Sequence, residues 1–255
     1  MALIKSTPQT TEAPEQAIVD GLGSDPRALE ADASPAGRAL IRALDKAVSV
    51  QSSAIENYVD RLRRKNPGAS PAEIQELVDK HFLRIATGTG AGAGAAAAIP
   101  GVGFFMGAAA IGAESLVFLD AAAWYTLASA HLRGVDISEK ERRKALILVS
   151  LLGAKGTAVV DAFVGDVGKS KGLPTMSTMA RFSAPKLGEV NNRLIRMALK
   201  NFSKRFRRAW LGKLMPLGIG AIAGTVANRK LTRAVIANSR ESLGVVPATF
   251  ASPVA

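Results

Sequence analysis

The chain contains no cysteine, which excludes disulfides, thiolate metal centres and cysteine nucleophiles. Its two histidines, His81 and His131, are too few for a multi-histidine metal site. Aromatic residues occupy 5% of the 255 positions, whereas apolar residues reach 48%. A core must therefore be assembled from Ala, Leu, Ile, Val and Gly, a composition that favours closely packed helices over a β-sandwich. The opening "MALIKSTPQTTEAPEQ" lacks an apolar run behind a charged start, so no secretory signal is expected there. Acidic residues are missing from one long tract: between Val190 and Arg240 stand twelve Lys and Arg and no Asp or Glu. The other 21 basic residues balance the 21 acidic ones, so the net charge of +12 resides on that tract. Such a surface attracts phosphate, on lipid head groups or on nucleic acid.

What is present is helical periodicity. Residues 1–36 mix Pro, Thr, Ser and Glu without period and read as a disordered arm. From Arg38 to Arg63 apolar residues recur every three to four positions, the pattern of one helix face. A second helix begins at Ser70-Pro71-Ala72-Glu73, a capping box with Ser at the N-cap and Glu at N3. It runs directly into a glycine-rich stretch, after which Phe104–Leu132 reads as a long helix. Ser138-Glu139-Lys140-Glu141 reads as another capping box, opening a helix that stops at Gly153. Helices are also expected over 157–167, from Leu187 onwards, and from the "MPLGIGAIAG" segment to Leu243. Residues 243–255 read as a flexible tail. No sustained alternation of β-branched residues occurs. The expected fold is all-α: a single multi-helix domain over 37–242 with a central Gly/Ala-rich helical hairpin or kinked helix.

The stretch "TGTGAGAGAAAAIPGVGFF", Thr87 to Phe105, admits three readings. Gly88, Gly90 and Ala93 match a permissive dinucleotide fingerprint, but a capped helix precedes them where a strand is required. The Gly165–Ser170 segment imitates a phosphate-wrapping loop and is too short to form one. A spanning helix fares little better. Ile85–Ala113 holds 29 uncharged residues, of which eight are Gly, eleven Ala and seven large apolar. Those seven supply roughly −2 to −4 kcal/mol of insertion free energy, which the glycines and Pro100 largely offset. The third reading is a bent hairpin at Pro100-Gly101 whose small residues allow close helix packing or shallow membrane insertion. Gly88/Gly92, Gly103/Gly107 and Gly220/Gly224 are each four apart and share a helical face.

The basic tract forms an amphipathic helix. Leu187, Val190, Leu194, Met197, Ala198 and Phe202 share one side; Arg193, Arg196, Lys200, Lys204 and Arg207 share another, and Trp210 closes it. An apolar stripe beside a cationic one suits an anionic membrane surface. Phe202, Phe206 and Trp210 stacking on bases would instead make a nucleic-acid-binding helix. Glu114 and Asp120 lie in apolar surroundings and form a candidate buried polar site, an Arg from the basic tract being the expected partner. A soluble enzyme would need a closed polar pocket collecting Glu114, Asp120 or Asp161 with an Arg or His. No catalytic set, metal site or cofactor site is legible, and the reading leans towards a non-enzymatic protein.

The order of blocks resembles a known family. "TGTGAGAGAAAAIPGVG", "LVFLDAAAWYTLASAHLRGVD", "ERRKALILVSLLG" and "MPLGIGAIAGTVANRKLTRAVIANSR" together look like the EcsC family, over residues 38–242. The family is named after the third product of the bacterial operon for the Ecs ABC transporter. The resemblance implies a mostly helical bacterial protein associated with the cytoplasmic face of the cell membrane, acting as an accessory or scaffold, with an ABC transporter as a partner. It implies no catalytic residues and no cofactor.

Overall fold

The computed structural model describes residue 33 and residues 35–49, 52–96, 103–164, 184–213 and 219–250; for parts of 89–116 and 202–227 only the helical backbone is described. Among the described residues there are eight helices and no strand. They are α1 (Pro35–Val48), α2 (Ser52–Lys65), α3 (Pro71–Ala96), α4 (Gly103–His131), α5 (Lys140–Leu152), α6 (Ala154–Val164), α7 (Ala184–Lys213) and α8 (Ile219–Leu243). The protein is all-α, as its composition and periodicity require.

α5 is the central rod. Ala145, Leu146, Ile147, Leu148, Val149 and Ser150 are buried in unbroken succession, so the helix is covered on every side. α7 packs along it through Leu187, Val190 and Leu194, all fully buried, and Asn191 donates its amide to the Glu141 carbonyl at 2.9 Å and carboxylate at 2.7 Å. The start of α5 departs from the expected capping box. Glu139 is the N-cap and makes no side-chain cap bond, while the Ser138 N–H donates to Asp136 Oδ1 in an Asx turn. The box at Ser70–Glu73 is formed on both sides: Glu73 Oε2 accepts from the Ser70 N–H at 2.7 Å, and the Glu73 N–H donates to Ser70 Oγ. The Ser70 N–H and then its hydroxyl hold the Glu73 carboxyl below its ordinary value.

The single helix expected over 38–63 is two. Arg143, itself buried, donates to the carbonyls of Val48, Ile137 and Ser138 at 3.0, 2.7 and 2.7 Å. The Val48 carbonyl, which a continuing helix would satisfy from residue 52, is taken by a guanidinium from α5, and α1 ends there. The Gly244 carbonyl accepts from Arg133 Nε at 2.9 Å, and the Phe250 ring lies 4.0 Å beneath the Arg63 guanidinium, so the chain is fastened to the body as far as Phe250.

Close backbone approach occurs where α5 turns into α6. Gly153 ends α5 with φ of +61°, and the Gly156 N–H donates to its carbonyl at 2.7 Å. A Cβ on Gly156 would stand 2.9 Å from Val149 Cα, a backbone atom that cannot swing aside. Gly156→Ala is therefore expected to cost about 1–3 kcal/mol. Urea denaturation should show the loss as a lower midpoint with an unchanged slope.

Candidate functional site

α3 and α4 are antiparallel. Gln75 of α3 meets Ser129 of α4 at 3.0 Å, and further along Phe82 stacks on Tyr125 at 4.8 Å and tilts against Phe118. α8 also runs antiparallel to α3: Arg240 pairs with Asp79, and Asn228 donates to the Ala86 carbonyl at 3.2 Å. A buried polar knot locks this register. Gln75 donates to Asp79 Oδ1 as well as to Ser129, and Arg133 donates to Gln75 Oε1 at 2.7 Å and to the Ser129 carbonyl at 2.8 Å. Burial pulls the Arg133 guanidinium below its ordinary value.

This register decides where the small residues go. Beyond the level of Ala86, Phe118 and Asn228, all three helices continue in the same direction as Gly/Ala-rich chain: 87–96 on α3, 103–117 on α4 and 219–227 on α8. At that level three large apolar side chains face outwards: Ile85 is 51% exposed, Val117 44% and Val226 62%, one on each helix. From there α3 extends roughly 15 Å and α4 roughly 20 Å at 1.5 Å per residue, comparable to half of a bilayer's hydrocarbon core. The cationic second half of α7 ends at Lys213, five residues before α8 begins at Ile219. That connection spans at most about 20 Å, so the end of α7 lies within that distance of the start of α8.

The residues singled out in the sequence distribute unevenly. Of the expected apolar stripe on α7, Leu187, Val190 and Leu194 face the protein core rather than lipid. Arg193 is half-buried with its guanidinium 5.0 Å over the Phe163 ring, Arg196 is half-buried, and Lys200 is exposed. The side chains of Lys204, Arg207, Trp210, Phe202 and Phe206 lie outside the described residues, as does that of Glu114. Gly88 is exposed and a Cβ there would meet no atom within 4 Å, so it does not sit in a tight seam. Gly92, Gly103, Gly107, Gly220 and Gly224 are helical, with surroundings outside the described residues; Pro100 and Gly101 lie outside them altogether. Within the basic tract, Arg240 pairs with Asp79. His131, half-buried, belongs to the last turn of α4.

Asp120 instead faces a cleft of about 380 Å³ between α2, α3 and α4. The Tyr58 hydroxyl pairs with His81 Nδ1 at 2.9 Å, and the Tyr58 ring meets Trp124 edge-on at 5.9 Å. Nothing in the sequence flagged Tyr58, His81 and Trp124 as neighbours, because they come from three helices. Among the described residues no group of three or more His, Asp or Glu could hold a metal ion, and no helix is long and apolar enough to cross a membrane.

A scan against protein-family models finds no match, and neither the curated proteins nor the solved structures yield one.

Burial pushes the Tyr58 hydroxyl up to about 12, and burial followed by the neighbouring Asp79 carboxylate raises Tyr125 further. These are the two tyrosines of the chain. Because both fold as the neutral phenol, the stability they contribute is complete below the ordinary tyrosine value of about 10 and is lost as pH rises past it towards the folded values. An absorbance titration should find almost no tyrosinate in the native protein at pH about 10. Base-induced unfolding should then release both phenols together.

Proposed function

We propose that this protein is a non-enzymatic, membrane-associated accessory or scaffold of the EcsC type, which docks on an anionic membrane surface through the pole just described. The observation that carries this is the convergence at one end of three small-residue helix segments, with Ile85, Val117 and Val226 exposed where they begin; the cationic end of α7 precedes α8 by a connection of at most about 20 Å. Apolar side chains exposed at a common level on three helices mark a surface with an apolar partner. Lys204, Arg205, Arg207, Arg208 and Lys213 supply the attraction to phosphate head groups, and Trp210 has the amphipathic ring favoured at that depth. Small residues suit this role because they let the helix ends enter between lipids, or press against a membrane partner, without bulky side chains in the way. The resemblance to the EcsC family, resting on the ordered sequence blocks, supports an accessory role at the inner face of the membrane and names an ABC transporter as the partner to test.

Flotation of the full chain with phosphatidylglycerol-containing vesicles at low salt tests the proposal, with phosphatidylcholine vesicles as the comparison. The wild type should float with the anionic vesicles and return to the soluble fraction as salt is raised. Replacing Lys204, Arg207 and Arg208 together with Glu should weaken partitioning at least a hundredfold, at about 1 kcal/mol per basic residue near the surface. The triple variant Ile85→Ser, Val117→Ser, Val226→Ser should bind more weakly while each exposed change alters folding stability by no more than about 0.5 kcal/mol. Recovery of the wild type in the soluble fraction with anionic vesicles at low salt sinks the reading.

A further inference from the structure

The cleft beside α4 has a chemistry that docking on a membrane surface does not require. Its walls are aromatic and aliphatic, and Asp120 is the one carboxylate among its lining residues, beside the His81 imidazole that pairs with the Tyr58 hydroxyl. Elsewhere Asp45, Asp60, Asp79 and Asp136 each lie within an ion pair. Asp120 has no cationic partner among the described residues, although it is half-buried against Trp124, Tyr58 and His81. A carboxylate kept in an aromatic hollow without a counter-charge favours a cation, and the electron-rich faces of Trp124 and Tyr58 favour one too. Small hydrated metal ions are a poor match, because a single carboxylate cannot replace their oxygen shell. An alkylated ammonium sheds water easily and can lie against an aromatic face. At the mouth, Ile85 and Val117 extend the apolar wall outwards, so the ligand's remaining body is apolar. The volume lies within the range of small-molecule sites.

We propose that this cleft binds an ammonium-bearing organic cation with an apolar body, the ammonium seated between Asp120 and the Trp124 and Tyr58 rings. The Tyr58–His81 bond fixes the Tyr58 ring from behind, and the edge-on contact with Trp124 sets the angle between the two aromatic walls. His81 thereby acts as a positioning residue, and Tyr58 and Trp124 form the walls of a site whose charge comes from Asp120. The ammonium can belong to a free amine or to a lipid head group, and the test separates these sources. The proposal does not depend on the membrane reading, since a soluble cation suffices to occupy the site.

Calorimetric titration of the full chain with benzyltrimethylammonium is the direct test, with benzoate as the ligand of opposite charge. The cation should bind saturably and benzoate should not. Asp120→Asn, which keeps the shape of the side chain, should weaken binding of the cation about tenfold, the loss expected for one partly solvated charge contact. Trp124→Leu should weaken it comparably. The indole N–H resonance of Trp124, observed in a Trp210→Phe background, should shift on titration; this locates the cation even if Trp124→Leu fails to fold. Monomeric dihexanoylphosphatidylcholine distinguishes the sources: tighter binding than the free cation assigns the site to a lipid head group, and weaker binding assigns it to a free amine. Vesicle flotation of Asp120→Asn should match the wild type, which keeps failure of this site distinguishable from failure of the membrane reading. Absence of saturable binding, equal binding of benzoate, or full affinity in Asp120→Asn would each overturn the proposal.

Discussion

The register between α3 and α8 governs the rest of the molecule. It is set by polar groups rather than by apolar packing alone: Gln75 and Asp79 on α3 are tied to Arg133 at the end of α4 and to Arg240 near the end of α8. Apolar Ala/Val/Ile surfaces tolerate sliding by a turn at modest cost. The buried amides of Gln75 and Asn228 do not, because a slipped register strands them away from water. Once Asp79 faces Arg240, Ala86 must face Asn228, and the glycine-rich ends of three helices emerge together.

A second constraint comes from α5. The second half of α5, buried on every side from Ala145 to Ser150, has to be enclosed, and α1, α4, α6, α7 and α8 all pack against the helix. Its one buried cation, Arg143, has three carbonyl partners and no carboxylate, so its role is to end α1 and order the turn before α5. Enclosing α5 uses the apolar stripe of α7, through Leu187, Val190 and Leu194. The first half of α7 is thereby committed to the core. The same allocation explains why Arg193 lies over Phe163 while Lys200 remains exposed.

The pole and the cleft are therefore two products of one arrangement. α3 and α4 supply both, with Phe82, Phe118 and Tyr125 forming the packed layer between them. On the pole side of that layer the chain turns Gly/Ala-rich and, Glu114 apart, uncharged. On its flank, Tyr58 from α2 closes an aromatic hollow around Asp120. Ile85 and Val117 border both regions, so a ligand in the cleft and a lipid surface at the pole would share an apolar margin.

Periodicity and composition were sufficient to read the all-α class, the Ser70–Glu73 cap, the long helices flanking Pro100 and the segregation of positive charge, because each is a local property of consecutive residues. They misjudged the break after Val48 and the cap before α5, and they do not reveal the contacts that fasten the chain as far as Phe250 or the pairing of Arg240 with Asp79. The cap turns on the local Ser138–Asp136 bond, and the others depend on a group distant in sequence: Arg143 for Val48, Arg133 for Gly244, Arg63 for Phe250, Asp79 for Arg240. The glycines show the same division. Their spacing on helical faces was legible, yet the tight approaches described lie at Gly153 and Gly156, and Gly88 meets open space. A sequence specifies which side chains a helix carries and which face they share; which neighbour that face meets, and whether it is consumed by the core or left for a partner, follows only from how the helices are stacked.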